Sequence, residues 1–179
     1  MKTGLPGLKG GDHIGFTVPN LEEATRFFVE VIGCEVLYEL GPFQADDDWM
    51  SENLNVHPRA VIHKYRMLKC HTGPSFEIFE YSSPDQNQAQ PKNSDYAGHH
   101  LAFYVENIDV ARQYLASKGV EILGDVKTVD SGPTQGLSWL YFLSPWGMQL
   151  ELVSYNQGLG FEQGGLRQWS PIERNTNNK

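Results

Sequence analysis

The chain has 179 residues, of which 40% are hydrophobic and 12% aromatic, so it can bury the core of one domain or of two small ones. Its formal net charge of −8 argues against nucleic acid and anionic membranes as partners, because both require clustered Lys and Arg. No apolar run reaches the roughly 20 residues that span a bilayer, and no signal peptide is evident, so we expect a cytoplasmic protein.

The first predicted elements are a strand and a helix. Apolar and polar residues alternate over 13–18, which is typical of a strand with one face toward a core. Asn20 can accept from the free N–H groups of a first helical turn, Glu23 completes a capping box, and Gly33 ends the helix. An apolar stripe at spacings of three and four predicts that this helix packs on the strand: Leu21, Ala24, Phe27, Phe28 and Val31.

Three further strands complete a first βαβββ unit. We expect them at 35–40, 60–69 and 75–81, with an unusually long loop over 41–58 between the first two. Residues 82–97 are rich in Ser, Pro, Asp, Asn and Gln and have almost no apolar positions. This composition predicts a solvated linker.

The same order of elements returns after the linker. A strand begins at His99 and His100, and a helix follows from Ile108 to Lys118, with Asn107 or Asp109 as its cap. Further strands are expected near 121–123, 137–143 and 149–155.

The predicted fold class is α+β, with two βαβββ units and an extended C-terminal tail. The first unit covers 9–81, the linker 82–97, the second unit 98–156 and the tail 157–179. Leu166 and Trp169 are candidates for docking the tail.

The two units are a sequence repeat that begins with His and ends with Glu. His13 and His100 are 87 residues apart, and the same spacing relates Asn20 to Asn107. Glu77 and Glu151 are 74 residues apart, and each is followed by a tyrosine four residues later.

Strand alternation selects four residues of this repeat as a candidate site. His13 and His100 point away from the face that the helices cover, whereas His99 points opposite to His100. Glu77 and Glu151 each lie between two apolar residues, where a carboxylate is costly to bury unless it is paired or bound to a metal. If the four converge, they form an N/O ligand set that suits one divalent ion, namely Zn, Ni, Co, Mn or Fe.

Several polar residues outside the repeat receive a structural interpretation. Cys34 and Cys70 match no redox or thiolate metal spacing, so two free thiols in a reducing compartment are expected. Glu80 faces away from Glu77 and is expected at a solvated strand end. Three histidines outside the repeat are expected at the surface or at strand edges: His57, His63 and His71.

Two pairs of side chains have open interpretations. Lys64 and Arg66 share a face of their strand and are candidates for binding a carboxylate or a phosphate of the substrate. Trp139 and Tyr141 also share a face, which lines either the core or a pocket.

The chain resembles the vicinal oxygen chelate superfamily, which includes glyoxalase I, methylmalonyl-CoA epimerase, extradiol dioxygenases and antibiotic-resistance proteins. The resemblance covers 13–155 and rests on three segments: His13-Ile14-Gly15-Phe16-Thr17-Val18-Pro19-Asn20-Leu21 with Phe27-Phe28 and Ile32-Gly33, Gly98-His99-His100-Leu101-Ala102-Phe103, and Phe142-Leu143-Ser144-Pro145-Trp146-Gly147 with Glu151. Ser144 departs from the Asp that many relatives have in this turn.

The resemblance implies a curved mixed sheet around a metal cleft, in a glyoxalase-like fold. It places metal ligands on the first and last strand of each unit, where this chain has His13, Glu77, His100 and Glu151. It also implies a homodimer, with units that pair either within one chain or between two chains.

The resemblance further implies a metal that chelates two neighbouring oxygens of a small-molecule substrate and stabilises an enolate. A glyoxalase-like lyase or an isomerase/epimerase would use Glu77 or Glu151 as the catalytic carboxylate for proton transfer. The alternatives are an Fe(II) extradiol-type dioxygenase, which needs only two His and one carboxylate, and a ligand-sequestering binding protein. The presence of Glu77 favours proton transfer, while glutathione, coenzyme A, a sugar and an aromatic acid all stay open as substrates.

Overall fold

The computed structural model describes residues 4–165, which form two compact units with their boundary between Gln88 and Ala89. Each unit contains one four-stranded mixed sheet and few helices, so the predicted α+β class and the repeated architecture are confirmed. None of the helices within 4–165 has both the length and the apolar character of a membrane span. The predicted docking residues Leu166 and Trp169 lie outside the described residues.

The elements of the first unit are β1 (His13–Thr17), α1 (Leu21–Arg26), β2 (Glu35–Leu40), α2 (Trp49–Leu54), β3 (Val61–Lys69) and β4 (Ser75–Ser82). The four strands have the spatial order β1-β4-β3-β2, with β1 parallel to β4 and the other neighbours antiparallel. Helix α1 continues directly as a π-helical segment, Phe27–Ile32, and ends at Gly33, whose φ of 92° is favourable for glycine.

Helix α2 corrects the expectation of a structureless loop over 41–58. Met50 lies on this short helix and is fully buried, so the segment packs on the first unit instead of lying in solvent. Six residues give too short a pattern for helical periodicity to be recognised in the sequence.

The elements of the second unit are β5 (Leu101–Tyr104), α3 (Ile108–Ser117), β6 (Ile122–Thr128), β7 (Ser138–Leu143) and β8 (Gln149–Ser154). The topology is that of the first unit, with the strand order β5-β8-β7-β6 and with β5 parallel to β8. Strand β6 is longer than expected, and a short 3₁₀ helix, Gly160–Gly164, interrupts the tail that was expected to be extended.

Side-chain caps fix the beginnings of helices α1 and α3. Asn20 Oδ1 accepts from the Glu23 N–H at 2.8 Å, as the sequence predicted. Of the two candidate caps of α3, the structure uses Asn107, whose Oδ1 accepts from the Val110 N–H at 3.1 Å. Glu80 Oε2 also accepts from the Leu21 N–H at 2.7 Å. Glu80 therefore points to the helix side of the sheet and stabilises the first turn of α1, and the prediction of a solvated strand end is wrong.

Each unit builds its core between its helix and one face of its sheet. Phe28, Leu68 and Ile78 are fully buried in the first unit, and Leu140 and Phe142 are fully buried in the second. The opposite face of each sheet is free of this packing and carries the repeated His and Glu residues.

A disulfide between Cys34 and Cys70 corrects the prediction of two free thiols. Cys34 immediately precedes β2 and Cys70 immediately follows β3, and the antiparallel register pairs Glu35 with Lys69. The two Cα atoms consequently lie 4.3 Å apart although the residues are separated by 36 positions in sequence. The inference of a reducing compartment from free thiols thereby loses its basis.

Arg66 connects α1 to the strands on the helix side of the first sheet. Its guanidinium donates to both carboxylate oxygens of Glu22 at 2.7 and 3.0 Å, to Thr25 Oγ1 at 2.8 Å and to Glu39 Oε2 at 2.7 Å. Only 12% of the Arg66 side chain is exposed. These contacts leave Arg66 on the face opposite Glu77, away from the candidate site.

The Arg66 contact predicts a pH-dependent contribution of Glu22 to stability. The hydrogen bond from Arg66 holds the pKa of Glu22 below its ordinary value. Because the pKa of Glu22 is lower in the folded than in the unfolded chain, its ionised form stabilises the fold. This contribution is fully present above the unfolded-state pKa, about 4.3, and is lost as the pH falls through the folded-state pKa. We expect the urea midpoint of wild type to exceed that of Glu22→Gln near pH 7, and the difference to shrink below about pH 4.

The exposed position of Glu22 limits the effect to about 1 kcal/mol or less. Glu121→Gln changes an exposed glutamate on the second unit and provides the control. A difference between wild type and Glu22→Gln that stays constant over this pH range would contradict the assignment.

Candidate functional site

His13 and Glu77 meet on the open face of the first sheet. The parallel register of β1 and β4 pairs Gly15 with Glu77, so His13, two residues before Gly15, shares the face of Glu77. His13 Nε2 lies 3.4 Å from Glu77 Oε2. Gly15 lies next to this pair, because a Cβ at that position would be in van der Waals contact with the Glu77 carboxylate, at 3.8 Å.

His100 and Glu151 form the equivalent pair in the second unit. Strand β5 pairs Ala102 with Glu151, and His100 immediately precedes this strand. His100 Nε2 lies 3.1 Å from Glu151 Oε2. The neighbouring His99 instead places its Nδ1 2.9 Å from the Ala97 carbonyl oxygen.

The second ring nitrogen of each site histidine contacts an oxygen acceptor. His13 Nδ1 lies 2.7 Å from Asp12 Oδ2, and His100 Nδ1 lies 3.3 Å from Asn93 Oδ1. The Asp12 contact raises the pKa of His13. An imidazole that donates through Nδ1 presents the lone pair of Nε2, so both histidines have the outer contacts typical of metal ligands.

The two glutamates are largely buried, and within the described residues their ion-pair partners are the site histidines. The exposed fraction of the side chain is 21% for Glu77 and 12% for Glu151. Burial raises the pKa of Glu151, although the neighbouring His100 opposes the rise. No Lys or Arg within residues 4–165 forms an ion pair with either carboxylate. This environment suits a bound cation, because a carboxylate removed from water requires compensation.

Aromatic side chains lie beside the His100–Glu151 pair on the open face of the second sheet. Tyr141 is paired with Glu151 in the β7–β8 register, its ring lies 5.2 Å from that of His100, and Trp139 lies 5.2 Å from Tyr141. Burial, followed by the charge of Glu151, raises the pKa of Tyr141. The aromatic side of β7 therefore lines the site face, while Leu140 and Phe142 on its other side form the core.

A cleft of about 760 Å³ in the first unit continues from Gly15 along the same face. His57, which the sequence placed at the surface, lies in its wall because the segment after α2 folds back toward the sheet. Its position near the end of the expected 41–58 loop was the only sequence signal for this residue. The lining residues are Gly15, Phe16, Thr17, Asn55, Val56, His57, Pro58, Ala60, Phe79, Tyr81, Ser83, Asp85, Gln86 and Asn87.

The structure brings the four predicted ligands together as two pairs, one in each unit. Across the described part of the chain, no group of three or more His, Cys, Asp or Glu residues lies close enough to hold a metal ion. The set of four ligands therefore stays a prediction.

Comparisons with known proteins agree with this architecture. The family described as Glyoxalase/Bleomycin resistance protein/Dioxygenase superfamily matches residues 12–141. A 2-epi-5-epi-valiolone epimerase from Actinomyces sp is 45% identical over 161 residues, which cover 89% of this chain and 87% of that protein.

Two solved structures show the same fold. A glyoxalase family protein from Bacillus cereus aligns with a TM-score of 0.63 at 18% identity, over 84% of this chain and 98% of that one. The fosfomycin resistance protein FosX from Listeria monocytogenes, crystallised with Mn(II) and sulfate, aligns with a TM-score of 0.51 at 19% identity, over 82% and 93%. As the sequence motifs predicted, the chain belongs to the glyoxalase/bleomycin resistance protein/dioxygenase superfamily.

Proposed function

We propose that the protein is a divalent-metal-dependent epimerase that inverts a carbon centre next to the carbonyl of a small hydroxyketone. The observation that supports this most directly is the repeated His–Glu pair on the open face of each unit. The similarity to a 2-epi-5-epi-valiolone epimerase supports the reaction type, and the ending of that name describes a hydroxylated ketone.

His13, Glu77, His100 and Glu151 would hold the metal ion. Their donor atoms fit, because each Nε2 faces a carboxylate oxygen while Nδ1 is held by Asp12 or Asn93. Two neutral imidazoles and two carboxylates would neutralise a divalent cation and suit Zn, Ni, Co, Mn or Fe. When bound, the ion supplies electrostatic stabilisation for the negative charge that develops on two neighbouring substrate oxygens.

Inversion requires that a proton leave one face of the carbon and return to the other. One carboxylate accepts the proton as the C–H bond breaks and its electron pair moves toward the carbonyl oxygen. The other glutamate, in its acid form while detached from the ion, returns a proton to the opposite face as the carbonyl re-forms. Glu77 and Glu151 provide two such groups, and burial raises the pKa of Glu151 above its ordinary value.

The proposal is tested with 2-epi-5-epi-valiolone and metal-loaded protein in D₂O. We expect the inverted carbon of the product to carry solvent deuterium, and Glu77→Gln and Glu151→Gln each to lower kcat by roughly 10²–10⁴-fold, the usual contribution of a positioned acid or base.

Glu121→Gln, an exposed glutamate of the second unit, is expected to retain wild-type kcat. Epimerisation without any solvent deuterium, or unchanged kcat in both site variants, would overturn the proposed mechanism. Oxygen uptake with catechols after anaerobic loading with Fe(II) would favour a dioxygenase instead.

A further inference from the structure

We infer that the cleft in the first unit binds the hydroxylated side of an uncharged, sugar-like substrate, with Thr17, His57 and Asp85 as specificity-determining residues. This inference rests on the proposed function and deepens it, because it identifies the class of hydroxyketone that the site accepts. It also separates the sugar-like option from glutathione, coenzyme A and aromatic acids, all of which carry negative charge.

The cleft begins beside the Glu77 carboxylate. Gly15 and Thr17 on β1 are paired with Glu77 and Phe79 on β4, so all four residues share the open face of the sheet. A Cβ added to Gly15 would lie 3.7 Å from the Phe79 ring and 3.8 Å from the Glu77 carboxylate. A ligand that fills the cleft would therefore extend to within contact distance of one proposed acid–base group.

The charge of the lining argues against an anionic ligand. No Lys or Arg is present among the lining residues, and Asp85 contributes an acidic side chain. Phosphate and carboxylate groups are usually bound by Arg, Lys or a helix N-terminus, and a second anion near Asp85 would be repelled. The nearby basic residues Lys64 and Arg66 pair with Glu22 and Glu39 on the opposite face of the sheet.

The polar groups of the cleft suit hydroxyl ligands. His57 Nδ1 accepts from the Arg59 N–H at 3.0 Å, so the neutral ring carries its proton on Nε2 and can donate it. Asp85 accepts from the Ser83 hydroxyl and retains further acceptor capacity. Thr17 contributes a hydroxyl that can both donate and accept.

An aromatic wall completes the cleft. Phe79 stacks on Tyr65 with ring centroids 5.2 Å apart, and Tyr81 lies 5.4 Å from Phe79. Apolar faces bordered by a few oriented donors and acceptors are typical of small-molecule sites, and the C–H face of a saturated, hydroxylated ring matches such a wall.

The test measures binding by calorimetry and turnover in D₂O with two probes, 2-epi-5-epi-valiolone and its monophosphate ester. We expect the uncharged ketone to bind wild type at least about tenfold more tightly than the ester. His57→Ala and Asp85→Asn are each expected to raise Kd and KM for the ketone about tenfold, the effect of one lost hydrogen bond, with kcat within about threefold of wild type.

Thr17→Val removes one hydroxyl from the cleft with little change of shape and provides a second variant if His57→Ala does not fold. Asp85→Lys is expected to shift the preference toward the monophosphate ester. Asp46→Asn, an exposed acidic residue outside the cleft, is the matched control and should leave Kd and KM unchanged.

The outcomes separate the two proposals. Preferential binding of the ketone without turnover would overturn the epimerase proposal and support the assignment of the cleft. Turnover with unchanged KM in all cleft variants, or tighter binding of the monophosphate ester to wild type, would overturn the cleft assignment and leave the epimerase standing.

Discussion

A His100→Ala variant is expected to bind divalent metal at least about 10- to 100-fold more weakly than wild type, and His13→Ala is expected to show the same loss. Changes at outer contacts of a ligand alone cost about 10- to 100-fold in metal affinity, so loss of the ligand itself should cost no less. Competition with a chelator gives the affinity, and the visible absorption of bound Co(II) gives a readout that is independent of activity.

Equal effects of the two histidine variants follow from the proposal that all four ligands hold one ion. If each His–Glu pair bound its own ion, each single variant would lose half of the bound metal and leave the remaining affinity unchanged. Metal stoichiometry by elemental analysis therefore decides between one shared ion and two independent sites.

The chain contains a matched control for each histidine. His99→Ala removes the neighbour of His100, whose Nδ1 contacts the Ala97 carbonyl oxygen instead of the site. His63→Ala removes a histidine whose Nε2 lies 2.9 Å from Ser82 Oγ in the first unit. Both controls are expected to retain wild-type metal affinity, and equal metal content in controls and site variants would contradict the ligand assignment.

The strands, the helices that follow β1 and β5, and the repeat were predictable because their signals are local. Alternation over 13–18 and the caps at Asn20 and Asn107 depend only on neighbouring residues, and the structure reproduces them. The repeat extended these local patterns to the topology, since two equivalent sets of elements have equivalent strand orders.

The two site pairs were predictable for the same reason. Alternation assigns His100 to the open face, and the register then places it beside Glu151. By contrast, the partner of Glu80 is a backbone N–H of α1, at Leu21, 59 positions away in the chain. Alternation gave the correct direction of Glu80 but contained no information on what it meets there.

Features that depend on contacts between distant segments were not predictable. The wall formed by His57 depends on how α2 packs through Met50, and six residues of helix leave no recognisable period. The disulfide depends on the register of β2 against β3, which brings Cys34 to Cys70. The sequence specifies this register weakly, because all six residues of β2 are exposed and none of them must face a core.

The disulfide predicts a large effect on the stability of the first unit. A Cys34→Ala/Cys70→Ala double variant is expected to lower the free energy of unfolding by about 4 kcal/mol, because the cross-link removes the closure entropy of a loop spanning 36 positions from the unfolded chain. Urea unfolding of the two proteins measures the difference, and both cysteines lie in the first unit, so the loss should fall on the transition of that unit.

Reduced wild type separates the cross-link from the side-chain change. If the stabilisation comes from the bond, reduced wild type should unfold close to the double variant, and the single variants should resemble the double variant because each one already breaks the bond. Thiol titration of unreduced, denatured wild type should find no reactive thiol, and two after reduction. Two reactive thiols before reduction would contradict the disulfide, and the stability of wild type would then be insensitive to reductant because there would be no cross-link to constrain the unfolded chain.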